Sequence, residues 1–237
     1  MLQPQNMSYG NTFYLSSFNI LPKEMRIALI VLFAHIGLIS CGNREDSPEL
    51  MARIEYNKGV TYQSHGNLKK AGEAFNKAIF YSPKQADAYL GRGYVYLQYG
   101  NLSNALSDFN KAIELDGNLA DAHNYRGVVN LGLRDPDQAM LDFSRALQLN
   151  PNLGSAYLNR SKINEQRQDF ISSIEDITAA INRTTQDLDL YFQRARLHIS
   201  NQDIDKAIDD LEKIISVSND DQAISRATRL ISEINEW

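Results

Sequence analysis

The sequence predicts an all-α solenoid of five helix–turn–helix repeats closed by a C-terminal capping helix. Three observations predict it. Small residues recur every 34 positions, at Gly59, Gly93, Gly127, Ser161 and Ala195. A second small column, Ala71, Ala105, Ala139, Ser173 and Ala207, is followed four residues on by Phe75, Phe109, Phe143, Ile177 and Leu211. A last column, Ala78, Ala112, Ala146, Ala180 and Ile214, keeps the same period, and five copies run without insertion from Ala52 to Asp221. A fixed period of this size marks an architecture whose units bury their apolar faces only against neighbours. A small residue on one helix facing a small residue on the next lets two backbones approach closely, and the bulky column fills the space that remains.

The repeats fall at 52–85, 86–119, 120–153, 154–187 and 188–221. Repeat one reads as helices over Pro48–His65 and Leu68–Tyr81, with Ser47 and Pro48 as N-cap and first helical residue. Repeat two reads as Ala86–Tyr99 and Leu102–Leu115. Repeat three reads as Ala120–Leu133 and Pro136–Leu149, the second helix opened by Asp135-Pro136. Repeats four and five read as Leu153–Gln166 with Phe170–Asn182, and Asp187–Ser200 with Ile204–Val217. Gly66-Asn67 and Gly100-Asn101 suit the left-handed and capping geometry that the turns need. Arg134-Asp135, Gln168-Asp169 and Gln202-Asp203 stand in the same places. The last helix, residues 222–237, carries Ala223, Ile224, Ala227, Leu230, Ile231 and Ile234 on one stripe and Arg226, Arg229, Ser232 and Glu233 on the other face. It covers the apolar end of repeat five.

Gly93, Ala105 and Phe109, with Pro83 and Pro151 closing two repeats, carry a resemblance to the tetratricopeptide repeat (TPR) family. The resemblance covers about 70% of the chain by that period. It implies a right-handed superhelix and a groove, lined by first-helix residues, that binds protein or peptide partners. Carried over, the groove shows Tyr56, Val60 and Gln63; Leu90, Tyr94 and Leu97; Asn124, Val128 and Leu131; Leu158, Lys162 and Glu165; and Phe192, Arg196 and Ile199. Apolar anchors would dock the peptide while Asn124, Gln63 and Asn57 hold its backbone. The family's carboxylate clamp is not matched, because Tyr56 and Val60 stand where it needs Lys and Asn. That speaks against an Hsp90-type co-chaperone. TPR arrays often dimerise through end repeats, and Trp237 is a candidate contact for a homodimer.

Residues 1–24 are polar and aromatic without a sustained period, and read as a disordered extension or a mis-assigned start. Met25 is the better start on physical grounds. Residues 25–40 then form an export signal, with Arg26 as its positive end and Ile27–Ile39 as its apolar core. That core falls short of the ~20 apolar residues that span a bilayer. Leu38-Ile39-Ser40-Cys41-Gly42 resembles the bacterial lipoprotein box. The resemblance implies cleavage before Cys41, diacylation of Cys41 and attachment to the membrane, where two or more acyl chains hold a protein stably. Gly42 rather than Asp favours the outer membrane, periplasm-facing or surface-exposed, by analogy with enterobacterial sorting. Residues 41–47 are then a short tether, and Gly42–Asp46 reaches at most ~18 Å. The other reading of Ile27–Ile39, a plain helix, gives a soluble or inner-membrane-anchored adaptor.

Net charge is −5, and Lys23, Arg26 and Glu24 leave +1 to residues 1–40, so the remainder carries −6. That argues against non-specific nucleic-acid binding. The single cysteine builds no disulfide or thiolate metal site within one chain. The four histidines are scattered, and His123 and His198 read as packing residues. There is no phosphate loop and no metal-ligand spacing, so neither a metal, a cofactor nor an enzyme activity is expected. One charge pattern stands out. Arg92, Arg126, Arg160 and Arg194 share a first-helix column, and Asp108, Asp142, Asp176 and Asp210 share a second-helix column sixteen residues on. Repeat one has Lys58 and Ala74 instead, so both partners are missing together. Antiparallel geometry brings the two columns side by side, and the pairs are expected inside each repeat.

Overall fold

The computed structural model describes residues 47–183 and 187–236. The expected N-terminal extension, the expected export signal, Cys41, the expected tether up to Asp46 and Trp237 lie outside the described residues. Those residues hold eleven α-helices and no strand. They fall into two compact units, one ending at Lys84 and the other beginning at Gln85.

The first unit contains the antiparallel pair α1 (Pro48–Ser64) and α2 (Leu68–Tyr81). The second contains α3 (Ala86–Gln98), α4 (Leu102–Leu115), α5 (Ala120–Gly132), α6 (Pro136–Leu149), α7 (Gly154–Gln166), α8 (Phe170–Ile181), α9 (Leu188–Ser200), α10 (Ile204–Val217) and α11 (Asp221–Asn235). Within it each helix packs on the next in order, from α3 through α11. Where the helices stop short of expectation, the residue is a cap: His65, Tyr99 and Leu133 are C-caps, Leu153 and Asp187 are N-caps, and Asn182 caps α8.

The small columns set the helix spacing. A Cβ placed on Gly59 would stand 2.5 Å from Phe75 Cε1, one on Gly93 2.8 Å from Phe109, and one on Gly127 2.6 Å from Phe143. No side chain fits there, so the ring lies directly on the first helix. All three rings are fully buried. In repeats four and five the first-helix residue grows to Ser161 or Ala195, and the second-helix residue shrinks to Ile177 or Leu211. Ser173, also buried, donates its hydroxyl to the Ser161 carbonyl at 2.9 Å, which satisfies the polar atom that the small residue brings in. At the far end α11 lays Ala227 and Ile234 over Phe192, Leu211 and Ile214.

The five turns share one geometry. In each, the first turn residue has positive φ: Gly66 (73°), Gly100 (72°), Arg134 (65°), Gln168 (62°) and Gln202 (63°). The next residue donates its N–H five positions back, as Asn67 does to the Tyr62 carbonyl at 2.8 Å and Asp169 to the Asn164 carbonyl at 2.9 Å. This is the Schellman arrangement, which satisfies the last carbonyls of the first helix. The same residue then caps the second helix. Asn67, Asn101, Asp135 and Asp169 each accept from an N–H three residues on, whereas Asp203 turns to Asn201 and Lys206.

Only the first two repeats place glycine where the backbone is left-handed, a conformation that strains other L-residues. Gln168→Gly is therefore expected to stabilise the fold by about 0.5–1 kcal/mol, read as a higher denaturant midpoint at unchanged slope. A midpoint that stays or falls would show that the turn carries no strain.

Candidate functional site

The charged columns meet inside each repeat of the second unit. Arg92 Nη2 lies 2.7 Å from Asp108 Oδ1, Arg126 Nη2 2.7 Å from Asp142 Oδ1, Arg160 Nη2 2.6 Å from Asp176 Oδ1, and Arg194 Nη2 2.6 Å from Asp210 Oδ1. Each Nε also donates to the same carboxylate, so the pairs are bidentate. The four carboxylates are buried. In repeats three, four and five the arginine is seen to reach backward as well. Arg126 Nη1 donates to Asn110 Oδ1 at 2.9 Å, Arg160 Nη1 to Ser144 Oγ at 3.4 Å, and Arg194 Nη1 to Thr178 Oγ1 at 3.0 Å. One guanidinium thus ties its own helix to its partner and to the second helix of the preceding repeat.

Further groups close the network. Asn130 and Asn164 each donate to the second carboxylate oxygen, of Asp142 at 2.9 Å and of Asp176 at 3.1 Å. Tyr89, Tyr157 and Tyr191 lie under the guanidinium three residues on, at 5.5, 5.7 and 5.5 Å. In repeat three His123 takes the tyrosine's place. Its Nε2 stands 3.2 Å from the Gly117 carbonyl, and its Nδ1 is 3.9 Å from Asp142 Oδ1. Burial pushes the Asp142 carboxyl up, but the His123 ring and the Arg126 guanidinium outweigh it and hold it below the ordinary value. The hydrogen bond to its aspartate, against the opposing effect of burial, raises each of Arg92, Arg160 and Arg194. The bridge to the preceding repeat and the asparagine donors lay outside the sequence reading. The column Asn110, Ser144, Thr178 could have shown the first, because it stands sixteen residues before each arginine.

The groove residues separate into two groups. In the first unit Val60 is exposed, Gln63 is half-buried, and Tyr56 stacks obliquely on Phe75 at 5.9 Å. In the second unit the first helices lie side by side, α3 with α5 and α5 with α7. Leu90 and Leu97 are half-buried against Phe109 and Val129, and Tyr94 meets Tyr125 at 5.3 Å. Val128 and Leu131 pack on Phe143 and Ile163, and Leu158 on Leu190 and Leu197. Each keeps part of its surface open. Lys162 is exposed, and Arg196 Nη2 pairs with Glu165 Oε1 at 3.3 Å between α7 and α9. Ile199 is half-buried in the terminal cluster.

Two expected lining residues are corrected. Asn124 is buried, donating to Ser155 Oγ at 3.2 Å and accepting from Asn159 Nδ2 at 3.3 Å, so its amide joins α5 to α7 and is not open to a peptide. Phe192 is buried beneath α11, with the Arg226 guanidinium 4.2 Å from its ring centre. Among the described residues no three His, Cys, Asp or Glu side chains group as metal ligands would, and no helix is long and apolar enough to cross a membrane.

Because Asp176 is buried and held from two sides, Arg160→Met is expected to cost about 3–5 kcal/mol, whereas Arg160→Met with Asp176→Leu costs far less than the two single changes summed. Additive losses in denaturant unfolding would refute a coupled pair. His198 gives a pH test. Burial lowers its pKa below the ordinary 6.5, against the charge of Asp210 and with help from Arg194. The folded state therefore prefers the neutral ring. The stability it contributes is complete above 6.5 and is lost as pH falls through the depressed value. His198→Gln should flatten the stability profile between about pH 7 and pH 5; a variant with the wild-type slope would contradict this.

Two family models, each described as a tetratricopeptide repeat, match residues 86–119 and 120–153, and residues 52–85 and 188–221. Neither covers residues 154–187, where Ser161 and Ser173 occupy the small columns. No curated protein matches the chain. Among solved structures, Pseudomonas aeruginosa PilF is similar at 18% identity and a TM-score of 0.65, over 78% of this chain and 84% of its own. MamA from Desulfovibrio magneticus RS-1 is similar at 15% identity and 0.60, over 70% and 94%. YrrB, whose structure is described as a TPR protein with an unusual peptide-binding site, is similar at 22% identity and 0.58, over 79% and 94%. Helix pairs, turns and small columns agree with the family matches, and the chain belongs to the tetratricopeptide repeat family.

Proposed function

We propose that this chain is a non-enzymatic protein-interaction scaffold, a lipoprotein anchored through Cys41 at the bacterial outer membrane, that binds peptide or protein partners along its first helices. The observation that carries the binding part is the stripe on α3, α5 and α7. Leu90, Tyr94, Leu97, Val128, Leu131 and Leu158 recur there at matching positions, each fixed by packing on one side and open on the other. Partly open apolar side chains on a rigid support are what a docking peptide needs. The arginines, by contrast, are consumed by the aspartates and have no charge to spare for chemistry. That YrrB has a peptide-binding site on the same fold agrees with this reading. The anchoring part rests on Arg26, the apolar run and the Cys41 box in the sequence.

The test has two arms. In a pull-down from membrane extract, the wild-type chain is expected to retain a defined partner that is lost with Tyr94→Ala plus Leu97→Ala and weakened with the surface change Lys162→Glu, while circular dichroism shows all variants folded. Equal retention by all three would reject the groove. Radiolabelled palmitate is expected to enter the wild-type chain and not Cys41→Ser. Label that survives the substitution, or a purified protein with an uncleaved N-terminus, would reject the anchor.

A further inference from the structure

Charge is divided unevenly between the two units. Residues 47–84 carry Arg53, Lys58, Lys69, Lys70, Lys77 and Lys84 against three glutamates, a net +3, whereas residues 85–237 carry −8. The excess sits on α2. At 100° per residue, Lys69, Glu73, Asn76, Lys77 and Phe80 share a stripe roughly 100° wide, with Lys70 at its edge. All four lysines of α2 and the residues just after it are exposed, and Lys69, Lys77 and Lys84 make no ion pair among the described residues. Lys70 lies 5.6 Å from the Tyr62 ring, which holds its stem against α1. Phe80 is 57% exposed, a large apolar group at the end of a basic face. The period supplies only part of this surface: the positions matching Lys77 are Lys111, Arg145, Ala179 and Lys213, whereas Phe80 and Lys69 break the pattern. The positions matching Phe80 are Glu114, Gln148, Asn182 and Ser216, and those matching Lys69 are Ser103, Asp137, Ile171 and Asp205.

We propose that the exposed face of α2 docks on the anionic headgroups of a lipid bilayer, with Lys69, Lys70, Lys77 and Lys84 as its charge contacts and Phe80 as its apolar anchor. Exposed lysines around an exposed aromatic ring are the chemistry of an interfacial surface, where charge draws the face to anionic lipid and the ring enters the boundary layer. Glu73 is the one opposing charge on the stripe. The rationale rests on the proposed anchoring. Gly42–Asp46 reach at most ~18 Å, so an acylated Cys41 would keep the first repeat, the basic one, within a Debye length or two of the headgroups. The second unit's negative charge is repelled by the same surface.

The test uses the full chain carrying Cys41→Ser, so that no acyl chain contributes, in sedimentation with vesicles of phosphatidylcholine alone or mixed equally with phosphatidylglycerol. The apolar run before Cys41 acts alike on both, so the difference between them reads the charge contact. Tighter binding to the anionic vesicles is expected, declining as salt is raised. Lys69→Glu with Lys70→Glu and Lys77→Glu should lower the affinity for anionic vesicles about tenfold or more and leave neutral vesicles unaffected. Phe80→Ser should weaken binding more modestly, and Lys213→Glu, an exposed position of the second unit outside the groove, should change nothing. Equal binding to both vesicle types, or a lysine variant that keeps the preference, would overturn the proposal. So would preferential binding to soluble polyglutamate, which would assign the face to an acidic polypeptide. Absence of palmitate on the wild-type chain would defeat the anchoring alone, since this binding is measured without it.

Discussion

The approach of two helices inside each repeat is the constraint from which the remaining structure follows. Phe75, Phe109 and Phe143 press against a backbone that has room for no Cβ. The contact is possible only where one column gives up all side-chain volume and the other supplies a ring. Interior packing is dense enough that neither column can change alone. Repeats four and five show the rule by departing from it. Ser161 and Ala195 add volume on one helix, and Ile177 and Leu211 remove it from the other. The summed volume is kept while its owner changes, which is why a helix pair survives in residues that neither family match covers.

Close approach also decides the electrostatics. It brings Arg and Asp columns into bidentate contact beneath the surface and lets the arginine reach the second helix of the preceding repeat. An exposed pair would contribute little. Here the carboxylates are buried, so each pair becomes a condition for burying its own partner. The consequence for binding is subtractive. Four first-helix cations are withdrawn from any ligand, and Arg196 is shared with Glu165, which leaves Lys162 as a cation of α7 without an ion pair among the described residues. A partner meeting these helices finds mainly leucine, valine and tyrosine surface.

What the sequence made legible was what repeats. The helix pairs, the small columns and the turn positions all follow from a 34-residue offset. Two kinds of feature escaped. One depends on conformation: a left-handed residue is announced by Gly66 and Gly100 but not by Arg134, Gln168 or Gln202, where the turn geometry overrides residue preference. The other depends on distances that the period does not encode. Asn124 occupies a lining position in register, yet Ser155 and Asn159 on the next first helix close over it. Phe192 is in register too, but it belongs to the last repeat, where α11 rather than another repeat lies against it. Periodicity assigns a residue to a face and does not say what covers that face.

Residues that keep the period and residues that break it therefore answer different questions. A position that repeats from unit to unit serves the contact that every unit makes, which is folding. Individual function has to lie where the period lapses on the surface. The first repeat is the clearest case. It lacks the arginine–aspartate pair, has Lys58 bonded to the buried Glu55 on its own helix instead, and presents Lys69 and Phe80 where later repeats present serine, aspartate, isoleucine, glutamate, glutamine and asparagine. None of those substitutions improves packing, because all of the side chains point to solvent. Nor do they favour solubility, since an exposed phenylalanine lowers it. Exposure alone does not set Phe80 apart, since Leu141, Ile171 and Tyr99 are at least as open; its place at the end of a face of exposed lysines does, and the charge of that face selects an anionic cover.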